Sequence, residues 1–462
     1  MNAEIKRLKD KKIVIVGFGR EGRSTYNFLR KFFPDKLIGI ADGKAIDLDD
    51  PNVVRHVGES YLSALDDYDV VFKSPGIPAT LPQIRQAQNN GVEITSQTRL
   101  FFATCRGTII GVTGTKGKST TTTLIYHILK EAGLPAILLG NIGKPCLDYL
   151  DESFGEGVYF CFESSSYQLS DLDRSPHIGV FLNIFREHLD YHGSEEDYFR
   201  AKSNITRNQS DKDFFVYNAD FDLIKELAGE TKAVSLGFSL RDKENGSSAY
   251  VEGGKVFYRD SDASKEVIAV KDIPLVGNHN LNNVMAAMLV AKLLGVSFEQ
   301  IAKAIKTFEA LEHRLQFVGE KNGIRFINDT LATIPEATIA SMKAFDGQVG
   351  SIILGGTDRG ADFGALAKEI LKQKVLAIAL FPDTGKRIWK AIEELKPDKL
   401  PKHIFTRDMK EAVDFCYRNT SKGKVCLHSA ASPSFSVFRD YVDRSNQFKL
   451  AIGGLDPETS SG

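Results

Sequence analysis

Apolar residues recur along this chain in two rhythms. Short runs rich in Val, Ile and Phe read as buried strands, and longer stretches with apolar positions three and four apart read as helices. The runs at 12–16, 36–41, 70–72, 92–95, 107–110, 158–162, 179–182, 324–329, 351–356, 375–380 and 424–427 predict strands. Helical spacing covers 23–33, 81–90, 120–131, 284–294 and a stretch after Pro335. Strand and helix alternate throughout, the pattern of a mostly parallel sheet in an α/β fold. Residues 211–275 differ, mixing short strands with polar turns, and 249–258 reads as a hairpin turning at Gly253-Gly254. A loop is expected near Cys105, and a disordered tail from 453 to 462.

Chemistry enters where the predicted strands end. The strand at 107–110 feeds Gly111-Val-Thr-Gly114-Thr115-Lys116-Gly117-Lys118-Ser119-Thr120, and a helix follows. Strand, glycine-rich turn and helix is the context of a phosphate-binding loop, in which backbone N–H groups and the helix N-terminus converge on phosphate oxygens. Lys118 would reach the β- and γ-phosphates, and the Ser119 hydroxyl a Mg²⁺ ion. Five residues separate Gly111 from Gly117 where the usual pattern has four, so the turn is a variant. The expected ligand is a nucleoside triphosphate.

Upstream, the first strand feeds Gly17-Phe-Gly19-Arg20-Glu-Gly22, a G-x-G-x-x-G turn, and Asp42 stands twenty residues past its last glycine. In a dinucleotide-binding fold that acid binds a ribose hydroxyl, so a Rossmann-like first domain holding a nucleotide moiety is expected. Ser74-Pro-Gly76-Ile-Pro78 and Gly140-Asn141-Ile-Gly143 are further turns at strand ends. The strand at 158–162 delivers Glu163-Ser164-Ser165-Ser166, and an acid so placed beside a phosphate loop commonly holds the metal. His188 lies between two acids in Asn183-Ile-Phe-Arg-Glu187-His188-Leu-Asp190, again after a strand, which favours a functional role. Lys202, in Tyr198-Phe-Arg-Ala-Lys202, reads by itself as a surface lysine. The amides of Gly277-Asn-His279-Asn-Leu-Asn-Asn283 either cap the next helix or place Asn283 and His279 over a purine or ribose; the residues leave both readings open.

Composition narrows the class. At 462 residues and about 150 per domain, three domains are expected. Their boundaries are placed at 1–106, 107–310 and 311–462. With 59 basic against 60 acidic residues there is no global field to recruit nucleic acid or an anionic membrane. Five scattered cysteines without a C-x-x-C pair argue for reduced thiols. No signal-peptide core and no run of ~18 apolar residues is found, so a cytoplasmic enzyme without membrane insertion, read as a monomer, is expected.

Taken together, Gly-Thr-Lys-Gly-Lys-Ser, Gly140-Asn-Ile-Gly, Glu163-Ser-Ser-Ser-Tyr-Gln-Leu169, Asn183-Ile-Phe-Arg-Glu-His-Leu-Asp190, Tyr198-Phe-Arg-Ala-Lys202, Gly277-Asn-His-Asn, His313-Arg314, Asn328-Asp329 and Gly355-Gly resemble the Mur ligases, the ATP-dependent amide-forming enzymes of peptidoglycan synthesis. The Gly17-Phe-Gly start and Ser74-Pro-Gly-Ile-Pro are most similar to the branch that adds glutamate to UDP-N-acetylmuramoyl-L-alanine. The resemblance implies three domains: a Rossmann-like UDP-binding domain, a central P-loop ATPase-like domain with a mostly parallel sheet and an accessory β hairpin, and a C-terminal Rossmann-like α/β domain. It implies ATP contacts from Gly114, Thr115, Lys116, Gly117, Lys118, Ser119, Thr120, Asn283, Arg314 and Asp329. The UDP-substrate would be held by Gly19, Arg20, Asp42, Ser74, Gly76, Asn141, Ser165 and His188. Two Mg²⁺ ions would be held by Ser119 and Glu163 and by His188 and Lys202, the lysine converted by CO₂ to a carbamate. Lys118, Glu163, His188 and Lys202 are the expected catalytic set, and Thr333, Arg359, Ser434 and Tyr441 the expected amino-acid site.

The chain departs from the family pattern at that last site. The family usually reads Asn-Asp-Ser-Lys-Ala-Thr where this chain has Asn328-Asp329-Thr330-Leu331-Ala332-Thr333, so a cation has become Leu331. Arg359 stands where a lysine often contacts the amino acid's carboxylate, and Pro433 and Ser436 flank Ser434 unusually. D-Glutamate is the expected substrate, with L-glutamate and a later epimerase as the alternative. A folylpolyglutamate-type ligase or a non-catalytic nucleotide-binding protein would share only the central domain.

Overall fold

The computed structural model describes residues 2–455 except 152, 186–188, 242–247, 261–262, 276, 310 and 346. It divides into two compact units, one comprising residues up to Ile273 with Leu281–Thr307, the other Pro274–Asn280 with the chain from Phe308.

The first unit holds two sheets. In one, β1 (Ile13–Val16), β2 (Ile38–Asp42), β3 (Val53–Val57), β4 (Val70–Lys73) and β5 (Glu93–Thr95) are all parallel, in the order β3-β2-β1-β4-β5. The order reverses between β1 and β4, and ligands of open α/β sheets bind outside the carboxyl ends of the strands at such a reversal. Both predicted turns lie there. Ser74 N and Oγ donate to Val16 O and Gly17 O at 2.9 and 2.8 Å. Gly17 adopts φ +86°, and a Cβ on Gly22 would stand 2.0 Å from Gly17 O. The third glycine therefore lets the helix Arg20–Phe32 start inside the turn, three residues earlier than the apolar spacing marks it.

Two elements of this region were not expected. β3 buries only Val53 fully, because an edge strand with a single packed side chain carries no alternation to read. The loop expected near Cys105 is preceded by a helix, Gln97–Thr104, capped by Ser96 and buried through Leu100, Phe101 and Phe102. The Phe101 ring meets Phe160 and Phe162 at 5.2 and 6.0 Å, joining the first sheet's core to the second's.

The second sheet comprises β6 (Thr108–Thr113), β7 (Ala136–Gly140), β8 (Tyr159–Glu163), β9 (Ile178–Phe181), β10 (Phe214–Asn218), β11 (Val234–Ser239), β12 (Ala249–Glu252), β13 (Lys255–Asp260) and β14 (Ala263–Ala269). Its order is β14-β13-β12-β11-β10-β9-β6-β8-β7, parallel from β7 to β12. β12–β14 form the antiparallel accessory segment. Its first turn uses Gly253 and Gly254 at φ +54° and +72°, the paired left-handed residues that a two-residue hairpin loop needs.

The second unit is built on β15 (Gln316–Lys321), β16 (Ile324–Asn328), β17 (Val349–Gly355), β18 (Ala377–Phe381), β19 (Lys402–Phe405) and β20 (Val425–His428), in the order β15-β16-β20-β17-β18-β19. Only β15 is antiparallel. Helices cover both faces, giving two apolar layers, one around Met342, Leu366 and Ile388 and the other around Val413 and Phe448. The last helix runs Tyr441–Gly453 and Leu455 packs in the core, so disorder does not begin at 453; residues 456–462 lie outside the described ones. Among the described residues no helix is long and apolar enough to cross a membrane.

Candidate active site

β6 lies between β8 and β9, so the glycine turn leaves the sheet with a neighbour on either side. Gly114 and Gly117 have φ +150° and +85°. A Cβ on Gly117 would fall 2.5 Å from Asn283 Oδ1, which accepts from Thr121 Oγ1 at 3.1 Å. Lys118 bends over the turn, its Nζ donating to Gly114 O and Thr115 O, each at 2.9 Å. The far side is braced by Asn183, whose amide accepts from Lys116 N at 2.8 Å and donates to Lys116 O at 2.9 Å. Thr115 Oγ1 accepts from Phe185 N at 2.9 Å. Lys116 is exposed, Thr120 half-buried and Ser119 buried.

Of the expected metal residues, Glu163 lies beside the end of β6 and Lys202 contacts its glycine turn. Glu163 pairs with Val112 in register, and Ser164 N donates to Val112 O at 2.9 Å. Glu163 is only 2% exposed; Oε1 accepts from Asn141 Nδ2 at 2.9 Å, while Oε2 is buried without a hydrogen-bond partner. A buried carboxylate oxygen left unpaired is costly, and a hard oxygen donor of this kind fits Mg²⁺. Lys202 is 1% exposed, which corrects its reading as a surface lysine. It sits on the buried stripe of the helix Glu195–Ser203, one turn beyond Tyr198, and its Nζ donates to Gly114 O at 2.8 Å and lies 4.8 Å from the Tyr198 ring. His188 lies outside the described residues. Just after it, Tyr191 Oη donates to Pro75 O at 3.0 Å.

At the carboxyl ends of β1 and β4 a cleft of about 320 Å³ is lined by six residues of the expected substrate set, Gly19, Arg20, Ser74, Gly76, Asn141 and Ser165. That volume is at the small end of ligand sites. Asn141 also bonds Glu163, so the cleft abuts the carboxylate beside the glycine turn. Asp42 is not in the lining: its two oxygens accept Phe18 N at 2.6 Å and Lys44 N at 2.9 Å, so it braces the glycine turn instead. Five further lining residues, Gly17, Glu21, Pro75, Tyr167 and Gln168, are outside that expected set. Ser165 and Gln168 form a reciprocal capping box, a Ser-x-x-Gln spacing that would have drawn attention to Gln168. Gln168 Nε2 also donates to Glu21 Oε1 at 3.3 Å, and burial raises the pKa of the Glu21 carboxyl.

The amides at 278–283 do not form a cap ahead of the helix, which begins at Asn278 and encloses them. Asn283 is buried against Gly117, whereas His279 is exposed. In the second unit Arg314 is exposed. Asp329 is buried; Oδ2 accepts from Ser341 Oγ at 2.5 Å and Ser429 Oγ at 2.8 Å, and burial pushes its carboxyl up to about 6. Thr333, Arg359 and Ser434 ride on the loops after β16, β17 and β20, three adjacent strands. Arg359 is exposed, Ser434 buried, and Tyr441 is 40% exposed with its ring edge-on to His313.

Three family models match in chain order: the Mur ligase MurD-like N-terminal domain at 11–96, the Mur ligase middle domain at 112–291 and the Mur ligase glutamate ligase domain at 313–432. The UDP-N-acetylmuramoylalanine--D-glutamate ligase of Acetivibrio thermocellus is 34% identical over 464 residues, covering 98% of each chain. The chain belongs to the Mur ligase family. The enzyme of the same name from Geobacillus kaustophilus is 34% identical, over 96% of this chain and 98% of its own. Solved Mur ligases share the fold at lower identity. The UDP-N-acetylmuramate-alanine ligase of Thermotoga maritima superposes with a TM-score of 0.58 at 21% identity, over 96% of this chain and 99% of that one. The MurF ligase of the same organism, solved with ADP, gives 0.57 at 18% over 98% and 99%. In this Mur ligase the middle-domain match contains the glycine turn, Glu163, Lys202 and Asn283, and the glutamate-domain match ends two residues short of Ser434.

Proposed function

We propose that this Mur ligase joins D-glutamate to UDP-N-acetylmuramoyl-L-alanine with hydrolysis of ATP to ADP and phosphate, a cytoplasmic step of peptidoglycan synthesis. The reading is carried by the convergence of Lys118, Glu163 and Lys202 on the glycine turn, beside a cleft that shares Asn141 with Glu163. The relatives' names support D-glutamate over its enantiomer.

A carboxylate is a poor acylating agent, so the alanine carboxylate of the substrate first attacks the γ-phosphorus of ATP, forming an acyl phosphate and releasing ADP. The amine of glutamate then attacks the acyl carbon, phosphate leaves, and the amine's proton passes to solvent. Lys118 and the N–H groups of Gly114–Thr120 hold the phosphates, and Lys118 offsets charge as it shifts to the leaving ADP. Ser119 and Glu163 would hold one Mg²⁺; His188 and Lys202 would hold a second. Mg²⁺ bound there supplies charge neutralisation on the phosphates. Lys202 would serve as a carbamate, its neutral amine adding CO₂ through a new C–N bond with loss of a proton, and burial would shield that amine. Asn283, Arg314 and Asp329 are assigned to the nucleotide. Gly19, Arg20, Ser74, Gly76, Asn141 and Ser165 are assigned to the UDP-substrate, with Asp42 bracing its turn. Thr333, Arg359, Ser434 and Tyr441 are assigned to glutamate.

Phosphate release with ATP, Mg²⁺, UDP-N-acetylmuramoyl-L-alanine and each glutamate enantiomer tests this reading. Turnover with D-glutamate is expected. Turnover with L-glutamate alone would reverse the stereochemistry, and turnover only with another acceptor would overturn the function.

A further inference from the structure

Arg444 is one of the largest fully buried side chains of the second unit, 1% exposed, and among the described residues its hydrogen bonds go to carbonyls and not to a carboxylate. Burial lowers its pKa to about 10. A buried guanidinium without an acid is a costly way to fill space that Leu or Met would fill better. Its hydrogen bonds point to its use. Nη2 donates to Thr330 O at 2.8 Å, in the loop after β16, and Nη1 to Ser432 O at 3.1 Å, in the loop after β20. The next residue, Ser445, accepts from Asn328 Nδ2 at 2.8 Å, at the end of β16. The same two loops are tied directly by Ala431 N to Ala332 O at 3.0 Å, and Thr384 Oγ1 meets Ser432 Oγ at 2.8 Å from the loop after β18. Thr333 follows the first clamped carbonyl by three residues, and Ser434 follows the second by two.

We propose that Arg444 is a positioning residue that shapes the amino-acid pocket, its planar fork clamping the loop after β16 to the loop after β20. The pocket's identity rests on the function proposed above; the clamp itself does not. The guanidinium presents donors on two separate nitrogens in a rigid fork that spans two carbonyls, whereas a lysine offers a single nitrogen.

The test uses Arg444→Lys and Arg444→Gln in the full chain, with Gln447→Ala on the exposed face of the same helix as a control. Two readouts are taken: amide hydrogen exchange over 330–334 and 430–434, and separate KM values for glutamate, ATP and the UDP-substrate. For Arg444→Lys, exchange in both loops is expected to quicken at least tenfold. The glutamate KM is expected to rise ten- to hundredfold, with the other two KM values within twofold and kcat within threefold. Unchanged exchange, or a common shift of kcat and all KM values, overturns the proposal. So does failure of both variants to fold, which would make Arg444 a core support. If the unaltered enzyme shows no glutamate turnover, the functional reading has failed, and exchange alone decides the clamp.

Discussion

Replacing Glu163 by Gln separates the stability of the site from its chemistry. The glutamate has one oxygen bonded to Asn141 Nδ2 at 2.9 Å and one buried oxygen with no partner. Gln is nearly isosteric and keeps the first contact through its carbonyl, while a neutral amide replaces the unpaired carboxylate oxygen. Leaving a charged group unsatisfied costs about 1–3 kcal/mol or more, so relief of that cost should stabilise the protein by roughly 1–3 kcal/mol. At roughly 2 °C per kcal/mol for a unit of this size, the melting temperature of the metal-free protein should rise by about 2–6 °C. Activity should move the other way. Loss of a carboxylate worth about 4 kcal/mol at the metal lowers the rate on the order of 10³-fold at fixed Mg²⁺. Scanning calorimetry without metal and a coupled ADP-release assay over a Mg²⁺ series read the two effects independently. A variant that melts lower than the unaltered protein, or that keeps more than a third of its rate, refutes the argument that this carboxylate is held unpaired for a cation.

Lys202→Ala should abolish turnover, and short carboxylates such as acetate should restore part of it by standing in for the carbamate; a rate near that of the unaltered enzyme would exclude the carbamate. Gly117→Ala should cut ADP affinity at least tenfold by calorimetric titration, because its Cβ would press within 2.5 Å of Asn283 Oδ1 at φ +85°; unchanged affinity would show that the turn tolerates the shift. Asp329 gives a pH signature. Its folded pKa of about 6 lies above the ordinary 3.8, so its protonated form favours the folded state. That contribution, about 3 kcal/mol at most from the shift, is fully present below pH 4 and is lost as pH rises through 6. Asp329→Asn should therefore flatten the pH dependence of melting between pH 4 and 7, and an unaltered slope would count against it.

The local apolar rhythm sufficed for the elements that fill the cores. Strands such as β6, β8 and β17 are buried on both faces, so each is apolar along its length and legible without its neighbours. β3 and the helix at 97–104 escaped because their packing partners come from elsewhere, Phe101 meeting Phe160 and Phe162 across some sixty residues of chain. The glycine turns were legible for a different reason. Backbone that must adopt positive φ or pack against a neighbouring carbonyl admits few residues; Gly17, Gly114 and Gly117 mark the first case and Gly22 the second.

What the chain could declare by itself was composition, periodicity and the residue types that a phosphate loop demands, because those follow from one backbone segment at a time. Tertiary structure alone decided that Lys202 is buried against Gly114, that one oxygen of Glu163 lacks a partner, and that Asp42 braces a turn instead of lining a cleft. It also decided that Arg444 bridges two loops 102 residues apart. Each of these is a contact between segments far apart in the chain, and the burial that gives a charged side chain its chemistry exists only once those segments meet.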